Sequence, residues 1–546
     1  MAVGTGNRFL LSQAASVAVA ETRLAARAAP RIVRGLAPIV AWTAASIAAG
    51  FIVGSAAVFL PPLGAFGIVA VAAMALLWVM PDLPLVWPGL IRKTFFVMLI
   101  TDLCIPTYYT VQVAGLPWIS ARRLATFSLI VPFLVAIAAS SEVRRRIAER
   151  LRSSSLIFIC VAGYLVMAAL SISTSVNRPD SLSVLVDAIL SWYVPFFAMI
   201  YIVRDNDDVV FILKIICLSA IFITAAGFLE FVRHRNVFVD IFPKAMLDHL
   251  IENNPNLAEL LPDFRGHFRN GQYRAVSIFV SPLSFGEFEA IVIPIALFFA
   301  LFRQSVFERG LGWAAAFGGI MGIFCSGSRG GYIGVLASVA VFVAIWSIRK
   351  GKKNKSSLAP AIVGLTGAIS FTALWGLILF WKRAHNMVLG GGEQAASNQG
   401  RYEQWVAGIP LIKSNPLTGH GLAQGGYLIS MSIDSYVLSL LLETGIPGLI
   451  FFAGLLLLPI WYGLRNFLFD MSESGALAGA LACSFLAFAN NRLVLSEREN
   501  QMLFFSLLAI AVVMNYQYAR KQVVEEVSSK SPQKAYPRGE SHWVGG

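Results

Sequence analysis

Long apolar runs recur along almost the whole chain, and they constrain its fold more than any other feature. Many reach the roughly 20 residues that an α-helix needs to cross a bilayer. Of the 546 residues, 57% are hydrophobic and 13% are charged, about half the charged share of a soluble domain. The short alternating segments of a transmembrane β-barrel are absent from the sequence. The sequence therefore predicts an all-α polytopic membrane protein.

The apolar runs define about 12–14 transmembrane helices within one membrane domain, residues 37–517. A basic segment, 1–36, precedes it, and a polar tail, 518–546, follows it and is expected to be disordered. Residues 9–20 resemble a secretory signal, but the arginines behind them would then have to cross the membrane, so we expect no cleavage. The candidate spans are 37–60, 64–80, 94–112, 124–140, 155–174, 182–203, 209–231, 280–302, 311–326, 331–348, 359–381, 434–463, 475–490 and 501–517.

Four clusters of lysine and arginine account for much of the net charge of +13. They lie near residues 8–34, 144–152, 349–355 and 520–538. Because such clusters stay cytoplasmic, alternation of the spans places all four, and both termini, inside. The clusters flank apolar spans, so membrane topology explains them better than nucleic-acid binding.

The same alternation places two large loops, 232–279 and 382–433, and a short turn, 326–331, on the outer, periplasmic side. Long loops of this kind are usually functional. The first loop carries Arg265 and Arg274, which suit an anionic head group or belong to a solvated surface. Arg329 in the short turn is either a snorkelling anchor or an anion-binding residue, and we prefer the second interpretation.

The second loop supplies the candidates for a reaction centre. Arg401 and Trp405 are four residues apart and share a face if this segment is helical. Asp434 stands at the start of the next helix, beside Tyr436, and is either an N-cap or a general base. His420, in a glycine-rich turn, is a rival base or a turn residue with an exposed ring.

Three outer arginines and a base candidate on one side suit a transferase whose donor is lipid-linked and activated by pyrophosphate. Arginines would hold the leaving pyrophosphate, and a base would deprotonate the attacking hydroxyl. The outer loops hold no D-x-D metal motif, and the five cysteines have no metal-ligand spacing, so we predict no metal and no other cofactor.

The motifs RAVSIFVSPLSFG, GSRGGYIG and GRYEQW…NPLTGHGL…DSYVLSLLLETGIPG occur in this order between about 270 and 465. This order resembles the O-antigen ligase and polymerase superfamily. The resemblance implies a glycosyltransferase of the C-like fold in a bacterial inner membrane, with its site at the periplasmic face. It also implies a glycan donor on undecaprenyl pyrophosphate and a glycan acceptor. Arg329 and Arg401 match arginines assigned to the pyrophosphate, and Arg274 matches a third position.

Asp434 and Ser435 stand where ligases of the superfamily typically carry a His-Asn pair. This difference favours exopolysaccharide or O-antigen polymerisation, with membrane lipids, a flippase and a chain-length regulator as expected partners. The first alternative is an O-antigen ligase that transfers the glycan to lipid A-core. The second is a flippase or other transporter, because Asp102, Asp187 and Lys214 lie inside predicted spans.

Overall fold

The computed structural model describes residues 82, 86–111, 119–244, 247–248, 268–269, 272–353, 358–381 and 395–530. The chain divides into two compact units, Met1–Pro84 with Ala138–Ser140, and Leu85–Ile137 with Ser141–Gly546. The first unit lies almost entirely outside the described residues, and so do the basic segment 1–36 and the first two predicted spans. Apart from the last two residues of the helix that ends at Ala139, the elements below belong to the second unit.

Helices dominate this unit, and two antiparallel pairs of two-residue strands lie in its loops. In chain order the elements are α1 (Pro88–Cys104), β1 (Thr110–Val111), β2 (Ile119–Ser120), α2 (Ala121–Ala139), α3 (Ser141–Arg152), α4 (Ser155–Ser171), α5 (Arg178–Ala188), α6 (Val194–Ile202), α7 (Asn206–Arg233), α8 (Val237–Ile241), β3 (Phe268–Arg269), β4 (Gln272–Tyr273), α9 (Pro282–Phe302), α10 (Val306–Ser326), α11 (Arg329–Lys353), α12 (Ala359–Phe380), α13 (Ala395–Ser414), α14 (Gly425–Ile429), α15 (Tyr436–Phe469), α16 (Glu473–Arg492) and α17 (Gln501–Lys530). A π-helical turn, Ile189–Tyr193, joins α5 to α6.

Within the described residues, eight helical segments are long and apolar enough to cross a membrane. They are α2, α4 with the turn after it, α5 with α6, α7, α9, α11, α15 and α17. The predicted spans from 94 onward each overlap a helix of the structure, including α1, α10, α12 and α16, although α1 already ends at Cys104. The prediction of an all-α polytopic membrane protein is confirmed.

Two helices differ from the sequence prediction. The amphipathic α3 carries the second basic cluster, in a stretch between two predicted spans for which the sequence analysis gave no helix. Helix α17 continues to Lys530, so residues 518–530 are helical rather than disordered. Contacts on α17 account for part of this, because Lys521 pairs with Asp470 at 3.2 Å and Gln522 donates to the Tyr518 hydroxyl at 2.8 Å. The rest of the predicted tail lies outside the described residues.

Helix α9 is the most enclosed of the eight candidate spans, and it organises the packing around it. Phe285, Phe288 and Phe298 along it are buried. A Cβ on Gly312 of α10 would stand only 2.4 Å from the backbone nitrogen of Ala300, so glycine lets the two helices touch closely. This close packing fixes the position of α9, the helix that follows Arg274 in the chain.

Hydrogen bonds and ion pairs gather the basic clusters at one end of the bundle, here called the basic end. The contacts that show this join Arg150 to Ile200 and Val203, Asn515 to Ser153, Arg349 to Ser472, and Lys521 to Asp470. The second, third and C-terminal clusters thus lie together, as the span alternation predicted. The first cluster lies outside the described residues.

Helix α15 is broken near the opposite end, at Gly445, whose φ is +71°. The segment 416–421 docks on the break and bonds the backbone groups that the broken helix leaves open. His420 N–H donates to Leu442 O at 2.7 Å, Gly421 N–H to Glu443 O at 3.1 Å, and Ile446 N–H to Pro416 O at 2.8 Å. Irregular backbone at membrane depth requires such partners. The motifs NPLTGHG and ETGIPG therefore form one interlocked unit.

Candidate functional site

An ion pair between Arg401 and Asp434 is the centre of the candidate site. Arg401 Nε lies 3.3 Å from Asp434 Oδ2, and the two side chains are 25% and 35% exposed. Arg401 is on α13, so the helical segment that its spacing from Trp405 required is present. The pair combines an anion-binding group with a carboxylate at a surface that a substrate can reach.

Asp434 does not cap α15. The helix begins at Tyr436, and its cap position is Ser435, whose side chain makes no capping hydrogen bond. The backbone N–H of Asp434 donates to Oε1 of the buried Gln404 at 3.0 Å. This bond ties the start of α15 to α13 and leaves the Asp434 carboxylate directed to Arg401. The N-cap interpretation is therefore wrong.

Arg329 and Arg274 meet at one turn. Arg329 opens α11 and is half-buried. Two residues before it, Gly327 has a φ of +58°, and Arg274 lies across this glycine. Arg274 Nε donates to Ser326 O at 3.0 Å, and its Cγ would stand 3.3 Å from a Cβ on Gly327. A larger residue at 327 would have to displace the Arg274 side chain.

The loop 493–500, between α16 and α17, joins the Arg329 turn to Asp434. A Cβ on Gly330 would stand 3.0 Å from Val494 Cγ2, and the hydroxyl of Ser496 donates to Ile433 O. Val494 and Ser496 are two residues apart, so at most about 7 Å separates their Cα atoms. The loop thus contacts both the Arg329 turn and the residue before Asp434.

Buried polar contacts hold this loop. Arg492 forms an ion pair with Glu287 in which the side chains are 2% and 0% exposed, and Nε to Oε1 measures 2.8 Å. Asn500 Nδ2 donates to Glu287 Oε2 at 2.9 Å. Ser284 Oγ donates to Glu497 Oε2 at 2.9 Å. These partners come from α9, so the central helix also fixes the loop.

Sequence reasoning missed this loop, which carries Glu497, Arg498 and Glu499. The sequence contained an indication of this loop's importance. Three charged residues in so short a connection between apolar spans are energetically costly unless they have partners. Arg498 pairs with Glu443 beside the break in α15. Burial alone would lower the pKa of Arg498. The nearby Glu443 carboxylate outweighs burial, so the pKa of Arg498 is raised above its usual value. Burial raises the pKa of Glu499, although hydrogen bonds oppose the effect.

His420 is a structural residue. Its side chain is buried, and Nε2 lies 2.8 Å from Leu411 O, so the proton is assigned to Nε2. Nδ1 then accepts from Asn415 Nδ2 at 3.3 Å. Both ring nitrogens are occupied by groups at the end of α13 and just after it. These contacts favour a structural role in the turn, but the ring is buried rather than exposed as predicted. The role of His420 as a rival base stays a prediction.

We expect His420→Gln to make product within a few-fold of wild type, because the ring acts on the fold rather than on the substrate. Loss of the bond to Leu411 O should lower the free energy of unfolding by about 1–3 kcal/mol. Product per folded protein and the thermal unfolding midpoint in detergent check this. An unchanged midpoint with no product would restore the base role.

Tyr436 is a core residue rather than a substrate-binding one. It is 2% exposed, with its ring edge-to-face on Phe452 at 5.0 Å and the Arg492 guanidinium 5.2 Å from its centre. Trp405 is half-buried and packs on an apolar cluster that includes Leu438 and Leu442. Its predicted contact with substrate stays a prediction. Arg265 lies outside the described residues.

Among the residues that the structure describes, no group of three or more His, Cys, Asp or Glu side chains has the arrangement of a metal site. Comparison with known families matches residues 314–453 to the model described as O-antigen ligase. The matched stretch contains Arg329, Arg401, His420 and Asp434, and it ends before the loop 493–500. The predicted resemblance is confirmed over these residues. No curated protein matches the chain.

Proposed function

We propose, from the match of residues 314–453 to the O-antigen ligase family model, that this chain polymerises lipid-linked repeat units. The reaction would occur at the periplasmic face of the bacterial inner membrane. A growing glycan would leave undecaprenyl pyrophosphate and join the terminal sugar of the next lipid-linked unit. The observation that carries this proposal is the Arg401–Asp434 ion pair, at the end of the bundle that also holds the Arg329 turn.

The donor side of the reaction rests on the arginines. A guanidinium can donate two parallel hydrogen bonds to a phosphate, which suits Arg401 and Arg329 to a pyrophosphate leaving group. When a phosphate oxygen binds Arg401, the Asp434 carboxylate loses its ion-pair partner and becomes accessible to the acceptor hydroxyl. Donor binding would thus prepare the base.

The acceptor side rests on Asp434. Its carboxylate would take the proton of the attacking hydroxyl as the oxygen bonds to the anomeric carbon of the donor. The bond from that carbon to the pyrophosphate oxygen breaks, and the lipid pyrophosphate leaves with its charge held by the arginines. The proton of the hydroxyl thus goes to Asp434, and the electron pair of the broken bond goes to the leaving pyrophosphate.

Polymerisation is preferred to ligation because a carboxylate replaces the ligase histidine, and His420 is committed to its turn. The transporter alternative loses support from the residues that suggested it. Asp102 pairs with Arg122, Asp187 lies 3.6 Å from Arg123, and Lys214 pairs with Glu308. These residues are ion-paired, so they do not supply uncompensated charges for a central transport cavity.

Deletion of the gene tests the proposal. We expect the deletion strain to accumulate single lipid-linked repeat units, and wild-type protein to restore long polymer. Arg329→Ala and Arg401→Ala should each leave short product at normal protein level, because removing a charged donor from a transition state costs about 10²–10³-fold. Glycan size on gels and immunoblots of the membrane fraction provide the measurement.

Two results would contradict this proposal. Full-length free polymer with loss of lipid A-capped glycan in the deletion strain would favour the ligase. Near-normal polymer in both arginine variants would remove the pyrophosphate assignment. A flippase and a chain-length regulator encoded beside the gene would agree with polymerisation.

A further inference from the structure

A cavity of about 500 Å³ lies beside the site, between α1, α2, α5 and the loop 493–500. The family match covers residues 314–453, and every residue of the cavity wall lies outside it. Its volume is within the range of pockets that enclose small ligands, about 300–1,000 Å³. Hydroxyl groups are unusually frequent on its wall, from Thr107, Thr110, Ser120, Thr126, Ser183 and Ser191.

Charges on the cavity wall are balanced in sign. The arginines are Arg122, Arg123 and Arg498, and the carboxylates are Asp102, Asp187 and Glu499. Arg122 Nε lies 2.7 Å from Asp102 Oδ1, and Arg123 lies 3.6 Å from Asp187. Carboxylates repel a pyrophosphate, whereas a neutral sugar uses acceptors and donors alike. The wall chemistry therefore favours a polyhydroxylated ligand.

Glu499 is an acidic group of the cavity wall that its neighbours hold in place. Its Oε1 accepts from the backbone N–H of Val280 at 3.0 Å and from the Thr107 hydroxyl at 3.3 Å. These two bonds fix the carboxylate in the wall, where a charged acceptor suits the hydroxyl groups of a sugar.

An apolar side completes the cavity. Trp192, Met98 and Met502 lie on the wall, and Trp192 is held in place by stacking on Phe505 at 5.9 Å between ring centres. A fixed aromatic ring among convergent polar groups is the usual arrangement of a small-molecule site. A sugar ring, which has an apolar face and a polar edge, matches both kinds of wall.

The cavity is joined to the base by one short piece of chain. Arg498 lines the cavity and pairs with Glu443 on α15. Two residues earlier, Ser496 donates to Ile433 O, immediately before Asp434. We propose that this cavity binds the terminal sugar of the acceptor glycan and directs its hydroxyl toward Asp434. This inference rests on the proposed function for the identity of the ligand.

Binding to the full chain in detergent tests the inference without requiring activity. The first probe is the oligosaccharide released by mild acid from the lipid-linked units that accumulate in the deletion strain; the second is inorganic pyrophosphate. By calorimetry we expect the oligosaccharide to bind wild type. Glu499→Gln and Asp187→Asn should each weaken it about tenfold or more, as for a hydrogen bond to a charged group.

Asp180→Asn is the matched control, since Asp180 is an exposed acid on α5 away from the cavity wall, and it should bind like wild type. Pyrophosphate should not displace the oligosaccharide. Displacement by pyrophosphate, equal affinity in all variants, or no binding to wild type would each overturn the inference. Asp434→Asn should bind normally, so loss of catalysis and loss of this site are distinguishable. Normal polymer in the deletion strain would refute the proposed function alone.

Discussion

Asp434→Asn should lower polymer formation by about 10²–10⁴-fold at unchanged protein level, because an amide cannot accept the proton of the acceptor hydroxyl. The backbone bond from residue 434 to Gln404 does not involve the side chain, so the start of α15 should keep its position. Ser435 occupies the cap position, and an asparagine at 434 has no capping bond to replace. Polymer quantified against wild type in the deletion strain gives the result.

Glu403→Gln is the control for this experiment. Glu403 is an exposed acid on α13, two residues from Arg401, and its side chain bonds only locally to Gln399 in the described structure. It should make polymer like wild type. If Asp434→Asn does the same, Asp434 is not the base, and the ion pair with Arg401 only positions the helix.

Arg492→Ala should remove most of the folded protein from the membrane. The change leaves the Glu287 carboxylate buried in the bundle without its guanidinium, and breaking a buried ion pair in this way costs about 3–5 kcal/mol. It also removes the contact of the guanidinium with the Phe488 and Tyr436 rings. Protein yield and thermal unfolding followed by size-exclusion chromatography measure the loss.

Two further variants show whether an uncompensated charge is the cause. Glu287→Gln with Arg492→Met removes both charges and should recover part of the stability lost in Arg492→Ala. Arg145→Ala breaks an ion pair on α3 whose side chains are both 68% exposed, and it should change the unfolding midpoint little. If Arg492→Ala and the double variant are equally stable, Arg492 stabilises the protein through packing rather than by compensating the Glu287 charge.

Hydropathy predicted the helices well because a membrane span needs an apolar run, which is a local property of the chain. Alternation of the spans also predicted the gathering of the described basic clusters, since one wrong span would have placed Arg150 and Arg349 at opposite ends. The shared face of Arg401 and Trp405 was predicted on the condition that their segment is helical, and the structure meets that condition. These features depend on neighbours in sequence, and a single sequence contains them.

The sequence could not show how segments fold back on one another. His420 looked available for chemistry because its ring contacts with Leu411 and Asn415 form only when the turn folds back on α13. Tyr436 was predicted to bind substrate, but Phe452 and Arg492 cover its ring. The loop 493–500 was overlooked because its partners are more than 200 residues away, on α9.

The break at Gly445 divides α15 into two parts that contact different neighbours. The part that begins beside Asp434 is held from the side by Gln404 and by the docked segment 416–421. The part beyond Gly445 packs on α16 within the bundle, as at Gly463, where a Cβ would stand 2.6 Å from Ala478 O. Because helical geometry is interrupted at Gly445, we expect the candidate site at the start of α15 to keep its geometry when the part beyond Gly445 changes its tilt in bilayers of different thickness.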